Sequence, residues 1–382
     1  MPQHTSTIDA RLQVERAAIT FGVISCMIGC AIRPSMASDP INTHPRKGPA
    51  RNNRSVAVMH TGIFPSVNGL AVSKDGRYFV SLGGYQAKAF DSGIRVWRID
   101  KLTTIRSFHD DEYLQDIHFS DGGKSIIGTH GNFLANPYIE ERQTRSGKVI
   151  NKVPLDSKHA PNYLTLLGSG KVAAVSYKTG RVEIRNVQTW QLLRKLRLSG
   201  QKVYSLTGAF AGNTLAIMDW RADVSLVDTE TGVLLGVIRK CYWPIALSDD
   251  GAELVYFIGQ NGPSKVAVWK KSSRKSIIVG SVNLPNPSSI ASSARGNVIA
   301  VWDFADGHDR IAVIDVHSGK QVTFALEQLG PGGDITATAF TADGQKLLIG
   351  TVYGKIALLD IKSGDLKIID QGDPSGDAPM KR

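Results

Sequence analysis

One two-residue signal recurs along this chain and limits what it can fold into. Asp75-Gly76, Asp121-Gly122, Ser169-Gly170, Gly212-Asn213, Asp250-Gly251, Gly296-Asn297 and Asp343-Gly344 follow one another at steps of 38 to 48 residues. Pairs of this kind make tight turns, because Gly accepts a positive φ and Asp, Asn and Ser bond back to their own backbone. A second series runs Asp100-Lys101, Ser146-Gly147, Thr189-Trp190, Thr231-Gly232, Ser272-Ser273, Ser318-Gly319 and Ser363-Gly364. The two series interleave without slipping, which divides the chain into seven units.

Residues 67–108 show what a unit contains: VNGLAVS, a turn at KDG, RYFVSLGG, a loop, IRVWRID, a turn at KL, and TTIRSF. Alternating residues such as Ile94, Val96 and Ile99 suit half-buried strands, so the unit reads as a four-stranded antiparallel sheet. The third strands IRVWRID, RVEIRNV, DVSLVDT, KVAVWKK, RIAVIDV and KIALLDI alternate in the same way. A lone sheet leaves both faces wet, and repetition supplies the cover. Four strands in about 40–45 residues is the period of a propeller blade. The expected fold is therefore all-β, a seven-bladed β-propeller over residues 55–372. A β-helix would have shorter, parallel coils, and two sandwiches would not keep one phase throughout. Residues 55–61 (SVAVMHT) and 365–370 (DLKIID) both read as the outer strand of the last blade, and the N-terminal segment is expected to close the ring.

Residues 17–32 (AAITFGVISCMIGCAI) form the one long uncharged apolar run, behind Arg11 and Arg16 and ahead of Arg33. This suits a signal-peptide core and is short for a membrane-spanning helix. The organisation read from sequence is a leader at 1–37, a basic, Pro-containing linker at 38–54, the propeller at 55–372 and a disordered tail at 373–382. Ser35-Met36-Ala37 predicts cleavage before Ser38. Met27-Ile28-Gly29-Cys30 resembles a bacterial lipobox, whose use would lipidate Cys30 and tether the mature protein to a membrane through its N-terminus. An uncleaved anchor or a buried helix is the remaining reading of the run. Export is thus expected, to the periplasm or the medium. Three cysteines are too few for a disulfide framework; Cys26 and Cys30 lie in the leader, and Cys241 reads as a small buried hydrophobe.

The first blade carries the motif D-S-G-I-R-V-W, with Asp91 six residues before Trp97. Together with His60 and Ser81, this resembles the hydrogen-bonded tetrad of the WD-repeat propellers, and the chain is nearly as similar to the YVTN-type bacterial propellers. The resemblance covers roughly residues 54–372 and implies a structural role for His60, Ser81, Asp91 and Trp97, which would pin the blade's loops. Trp269 repeats the tryptophan, but Pro263 stands at the aspartate position, and Arg98 and Lys270 follow the two tryptophans where Asp is expected. The resemblance is therefore to a divergent bacterial member. Asp228, Asp315 and Asp360, ahead of the closing turns, are shared with the YVTN and quinoprotein propellers, while the fourth strands lack the tryptophan that quinoprotein docking requires.

In propellers of this resemblance the loops joining second to third strands, and blade to blade, lie on one face around the channel mouth. That face would include Tyr85, Lys88, His130, Asn132, Lys178, Trp220, Arg221, Asn261, Asp303 and His308. Asp303, Asp306, His308 and Asp309 offer oxygen and imidazole ligands within one loop. A solvated turn accounts for them as well, so neither a metal nor a cofactor is expected. No nucleophile elbow, phosphate loop or paired-histidine motif is present. Of the net charge of +11, the leader carries +1, the linker +3 and the tail none, which leaves +7 on the ring. Such a surface favours anionic partners. Nucleic acid is not expected, given the leader and the lack of an aromatic-basic platform in the sequence. The expectation is an exported, non-catalytic scaffold that binds a protein or anionic polymer through its loop face, in an undetermined oligomeric state. The competing class is a periplasmic propeller enzyme, a lactonase-like hydrolase or a dehydrogenase subunit.

Overall fold

Among the described residues, twenty-eight strands pair into seven four-stranded antiparallel sheets, each in plain order along the chain. The computed structural model describes residues 66–83, 92–110, 114–130, 136–155, 161–177, 179–197, 202–259, 264–284, 287–303, 310–330, 334–352 and 354–370. The chain divides into two units, Met1–Val56 and Ala57–Arg382, and every described residue belongs to the second. Blades one to seven occupy residues 67–110, 114–154, 161–197, 203–238, 242–282, 287–325 and 335–370. The seven inner strands touch in sequence order, and that of blade seven returns to that of blade one. The described chain is a closed seven-bladed β-propeller.

The two turn series read from sequence are the joints of every blade. In blade one the Ser73 hydroxyl donates to Asp75 Oδ1 at 2.6 Å, and Gly76 takes a φ of +69°. Blades five and seven repeat the device with Ser248 to Asp250 and Thr341 to Asp343. After the third strands, Asp228, Asp315 and Asp360 accept backbone N–H groups from Thr231, Ser318 and Ser363. These carboxylates are consumed by turn geometry, which is why they recur.

The core is divided among the blade interfaces. Seven clusters of buried apolar side chains correspond to seven interfaces, each drawing on two neighbouring blades. Val80, Leu82, Ile94 and Val96 of blade one meet Leu114, Ile117 and Ile126 of blade two. On the other side of the same sheet, Phe79 and Trp97 meet Leu348, Ile356 and Leu358 of blade seven. The second and third strands are thus covered on both faces, and this revises the half-buried reading of their alternation. The polar partners in that alternation, Arg95, Glu183 and Arg185, are also buried. Outer strands keep an exposed face: Leu192–Arg197 alternates between exposed and half-buried positions.

Closure of the ring differs from expectation. Leu366–Asp370 pairs with Ile356–Asp360 and completes blade seven as its fourth strand. The C-terminal segment is in register with its own blade, so no strand need be borrowed from the N-terminus. Residues 55–61 lie outside the described residues. Asp370, at the end of this last strand, pairs its carboxylate with Arg95 Nη1 at 2.5 Å in blade one. The two ends of the ring are joined by that pair and by the Phe79–Trp97 cluster.

Candidate functional site

Strand order in a four-stranded meander puts the tight turns on one end of each blade, and the second-to-third and blade-to-blade connections on the other. The inner strands begin at this second end, and all seven are irregular there. Pairing with the second strand skips Asn68, Gln115, Asn162, Tyr204, Ser288 and Thr336, the second residue of each strand, and in blade five it skips Trp243 to Ile245. A bulge turns the extra residue out of the ladder. Seven such irregularities, one in each blade, therefore ring the channel mouth.

An inner strand is also a sheet edge, whose unpaired N–H and C=O groups need partners. Side chains of the preceding blade supply several of them. Asp116 Oδ2 accepts Leu164 N–H at 2.9 Å, and His118 Nε2 lies 2.8 Å from Leu164 O. Asn162 Nδ2 donates to Val203 O at 3.0 Å, and Thr165 Oγ1 accepts Gly208 N–H at 3.1 Å. Thr336 Oγ1 donates to Val67 O at 2.6 Å across the closure. Each of these contacts runs from one blade to the next in the same sense. Burial opposes charge on His118, but the neighbouring Asp116 carboxylate and the Leu164 carbonyl outweigh it and raise the imidazole above its ordinary pKa.

Blades four and five carry aromatic rings at this mouth, where Asn68, Asn162 and Thr336 stand in blades one, three and seven. Tyr204 and Trp243 meet edge to face, with centroids 6.4 Å apart and planes at 87°. Both are 37% exposed, and Trp220, in the loop between the second and third strands of blade four, is 57% exposed. The Arg221 guanidinium lies 5.6 Å from the Trp220 ring centroid. That loop is tied to the starts of both inner strands: Trp220 N–H donates to Lys202 O at 3.2 Å, and Cys241 N–H to Ala222 O at 2.7 Å. The three rings thus belong to one stretch of the rim.

Cations outnumber acids on this stretch. Lys202, Arg221, Arg239 and Lys240 are exposed, and none of them pairs with a carboxylate among the described residues. The two nearby acids are occupied by backbone. Asp219 Oδ1 accepts the N–H groups of Arg221 at 2.8 Å and Asp223 at 3.0 Å, while Asp223 Oδ1 accepts that of Lys240 at 3.2 Å. Cys241, adjacent to Lys240, is buried, and burial together with the Asp223 charge pushes its thiol up to about 12.

Of the residues singled out from sequence, Trp220 and Arg221 stand on this rim. His130 is placed elsewhere: at 1% exposure, stacked on Tyr138 with centroids 4.5 Å apart, it is buried within blade two. Burial, with the Arg142 and Lys152 charges, lowers its pKa to about 3, so it is neutral. Trp97 Nε1 donates to Ser81 Oγ at 3.0 Å, and both are buried. Their companions His60 and Asp91 lie outside the described residues, as do Tyr85, Lys88, Asn132, Lys178, Asn261, His308 and Cys30. Asp303 ends the second strand of blade six, and the rest of its loop is outside the described residues. Among the described residues, no three His, Cys, Asp or Glu side chains come together as a metal ion would require.

Sequence reasoning missed Tyr204 and Trp243 because an inner-strand position reads as core. The signal that could have found them is the column formed by the second residue of each inner strand: Asn68, Gln115, Asn162, Tyr204, Trp243, Ser288 and Thr336. No protein-family model and no curated protein sequence matches this chain. The fold and this rim therefore carry the functional reading.

Proposed function

We propose that this protein is an exported, non-catalytic binding propeller, a divergent relative of the WD-repeat and YVTN-type propellers, which engages an anionic polymer or protein through its loop face. The observation that carries the reading is the rim of blades four and five. Three exposed aromatic side chains and four cations with no carboxylate partner among the described residues stand there on a scaffold closed by seven buried interfaces. Exposed rings cost solvation that a soluble monomer has no reason to bear without a partner. Rigid support means that little ordering entropy is lost on binding.

The leader supports export, and intact-mass measurement on soluble and membrane fractions tests it. An unmodified N-terminus at Ser38 is expected; an acylated Cys30 would move the protein to a membrane surface, and a full-length chain in the cytoplasm would defeat the export reading. Binding is tested by titrating the mature protein with acidic polymers. Substitution of Trp220 and Trp243 by Ala is expected to weaken the interaction, whereas substitution of exposed residues on the tight-turn face is expected to leave it unchanged.

A further inference from the structure

The large hydrophobic side chains exposed among the described residues fall into two groups. The aliphatic ones, such as Leu193, Leu234 and Ile278, lie on outer strands or their turns in blades two to six; the other three, Tyr204, Trp220 and Trp243, are all aromatic and all on the rim described above. The rim thus selects flat rings rather than bulk apolar surface. It pairs them with Lys202, Arg221, Arg239 and Lys240, whose nearest acids are engaged by backbone.

Three classes of anionic polymer could meet such a surface, and the geometry separates them. An acidic peptide most readily adds to a sheet edge through its main chain. That route is obstructed here, because Val203 O and Gly208 N are already held by Asn162 and Thr165. A single nucleic-acid strand stacks successive bases on parallel aromatic platforms. Tyr204 and Trp243 stand at 87° to one another and offer no such series. A sugar polymer imposes neither demand. Each pyranose presents an apolar C–H face to one ring, successive residues turn about the glycosidic bond, and a carboxylate on the sugar reaches an ammonium or guanidinium group.

We infer that Tyr204, Trp220 and Trp243, with Lys202, Arg221 and Lys240, form a subsite for a uronic-acid polysaccharide. This rests on the loop-face binding reading and names the ligand class for it. The aromatic rings supply stacking and the cations supply selection for carboxylated over neutral sugars. Because the cations are exposed, the charge component is screened by salt.

Full-length mature protein is titrated with polygalacturonate, its methyl-esterified form, polyglutamate and oligothymidylate. Intrinsic tryptophan fluorescence and calorimetry follow binding, and Trp220 and Trp243 report directly. The expected result is binding of polygalacturonate with a change in tryptophan emission. Weakening of about tenfold is expected for the esterified polymer, for W220A and for W243A, as for truncation of a central aromatic contact. K202Q and K240Q should reduce the salt dependence while leaving the melting temperature unchanged. If polyglutamate or oligothymidylate binds and polygalacturonate does not, and W220A and W243A abolish that binding, the sugar assignment is overturned and the loop-face reading stands. If no polymer binds, the sugar assignment falls; if polymer binding is indifferent to both tryptophans, the sugar assignment and the loop-face reading fall together.

Discussion

Two histidines in blade two are pulled in opposite directions by their surroundings. His130 is neutral between Tyr138 and the cations Arg142 and Lys152, with a pKa of about 3. The unfolded chain binds its proton near pH 6.5, so this group withdraws stability as pH falls from 6.5 toward 3, on the order of 4 kcal/mol over the whole interval. His118 has a raised pKa, so its contribution is complete below 6.5 and fades as pH rises through the folded value. Melting curves of H130F are therefore expected to lose part of the acid-side decline, and those of H118N part of the decline above pH 6.5; unchanged slopes would refute both assignments. Glu183 is a further test of burial. It accepts from Tyr177 Oη at 3.0 Å and Arg185 Nη2 at 2.7 Å, with Arg181 Nε at 3.6 Å. Replacing it by Ala strands the buried Arg185 guanidinium and is expected to cost about 3–5 kcal/mol, whereas D100A, at the exposed Arg98 pair, should leave stability nearly unchanged. Chemical denaturation of the two variants decides it.

Among the elements, the last strand has a role that its sequence does not announce. Leu366–Asp370 resembles the other outer strands in composition, yet its terminal carboxylate reaches into blade one and pairs with buried Arg95. Burial lowers the pKa of Arg95, and the Asp370 charge partly restores it. Breaking such a pair from one side leaves a cation without compensation, so D370A is expected to lose roughly 3 kcal/mol. An equivalent change at Arg197, the exposed end of an outer strand in blade three, should change stability by less than about 0.5 kcal/mol. Equal effects in urea titrations would remove the clasp from the account. The turns carry the same lesson on a smaller scale. Gly251 has a φ of +72°, and a Cβ there would lie 2.7 Å from that of Thr214 in the neighbouring blade. G251A should therefore cost more than the ~1 kcal/mol of backbone strain alone.

At the scale of the whole ring, no blade owns a core. Every sheet places its middle strands in two clusters shared with different neighbours, and the inner edges of blades two, three and seven are tied to the following blade in one rotational sense. Loss of one blade exposes two interfaces and opens the closure. The described propeller is expected to unfold in one transition, with far-ultraviolet circular dichroism and tryptophan fluorescence coinciding. Early loss of either signal would show that blades separate independently. The same closure makes the mouth a rigid frame. Tyr204, Trp220 and Trp243 come from two inner strands and one connection of adjacent blades, and they reach one stretch of rim through the interface between those blades.

The number of blades, their strand count and the positions of their turns were determined by the amino-acid sequence, because turn chemistry is local. An Asp that caps its own loop, or a Gly at positive φ, needs nothing from the rest of the chain. Trp220 and Arg221 were legible for the same reason, as polar and aromatic residues in a connection. Tertiary structure alone decided which strand completes blade seven, since two similar segments competed and only register with Ile356–Asp360 separates them. It also decided that Arg95, Glu183 and Arg185 lie between blades, and that bulged Tyr204 and Trp243 face the channel mouth. Those outcomes depend on contacts between residues tens to hundreds of positions apart, and no periodicity within a single strand encodes them.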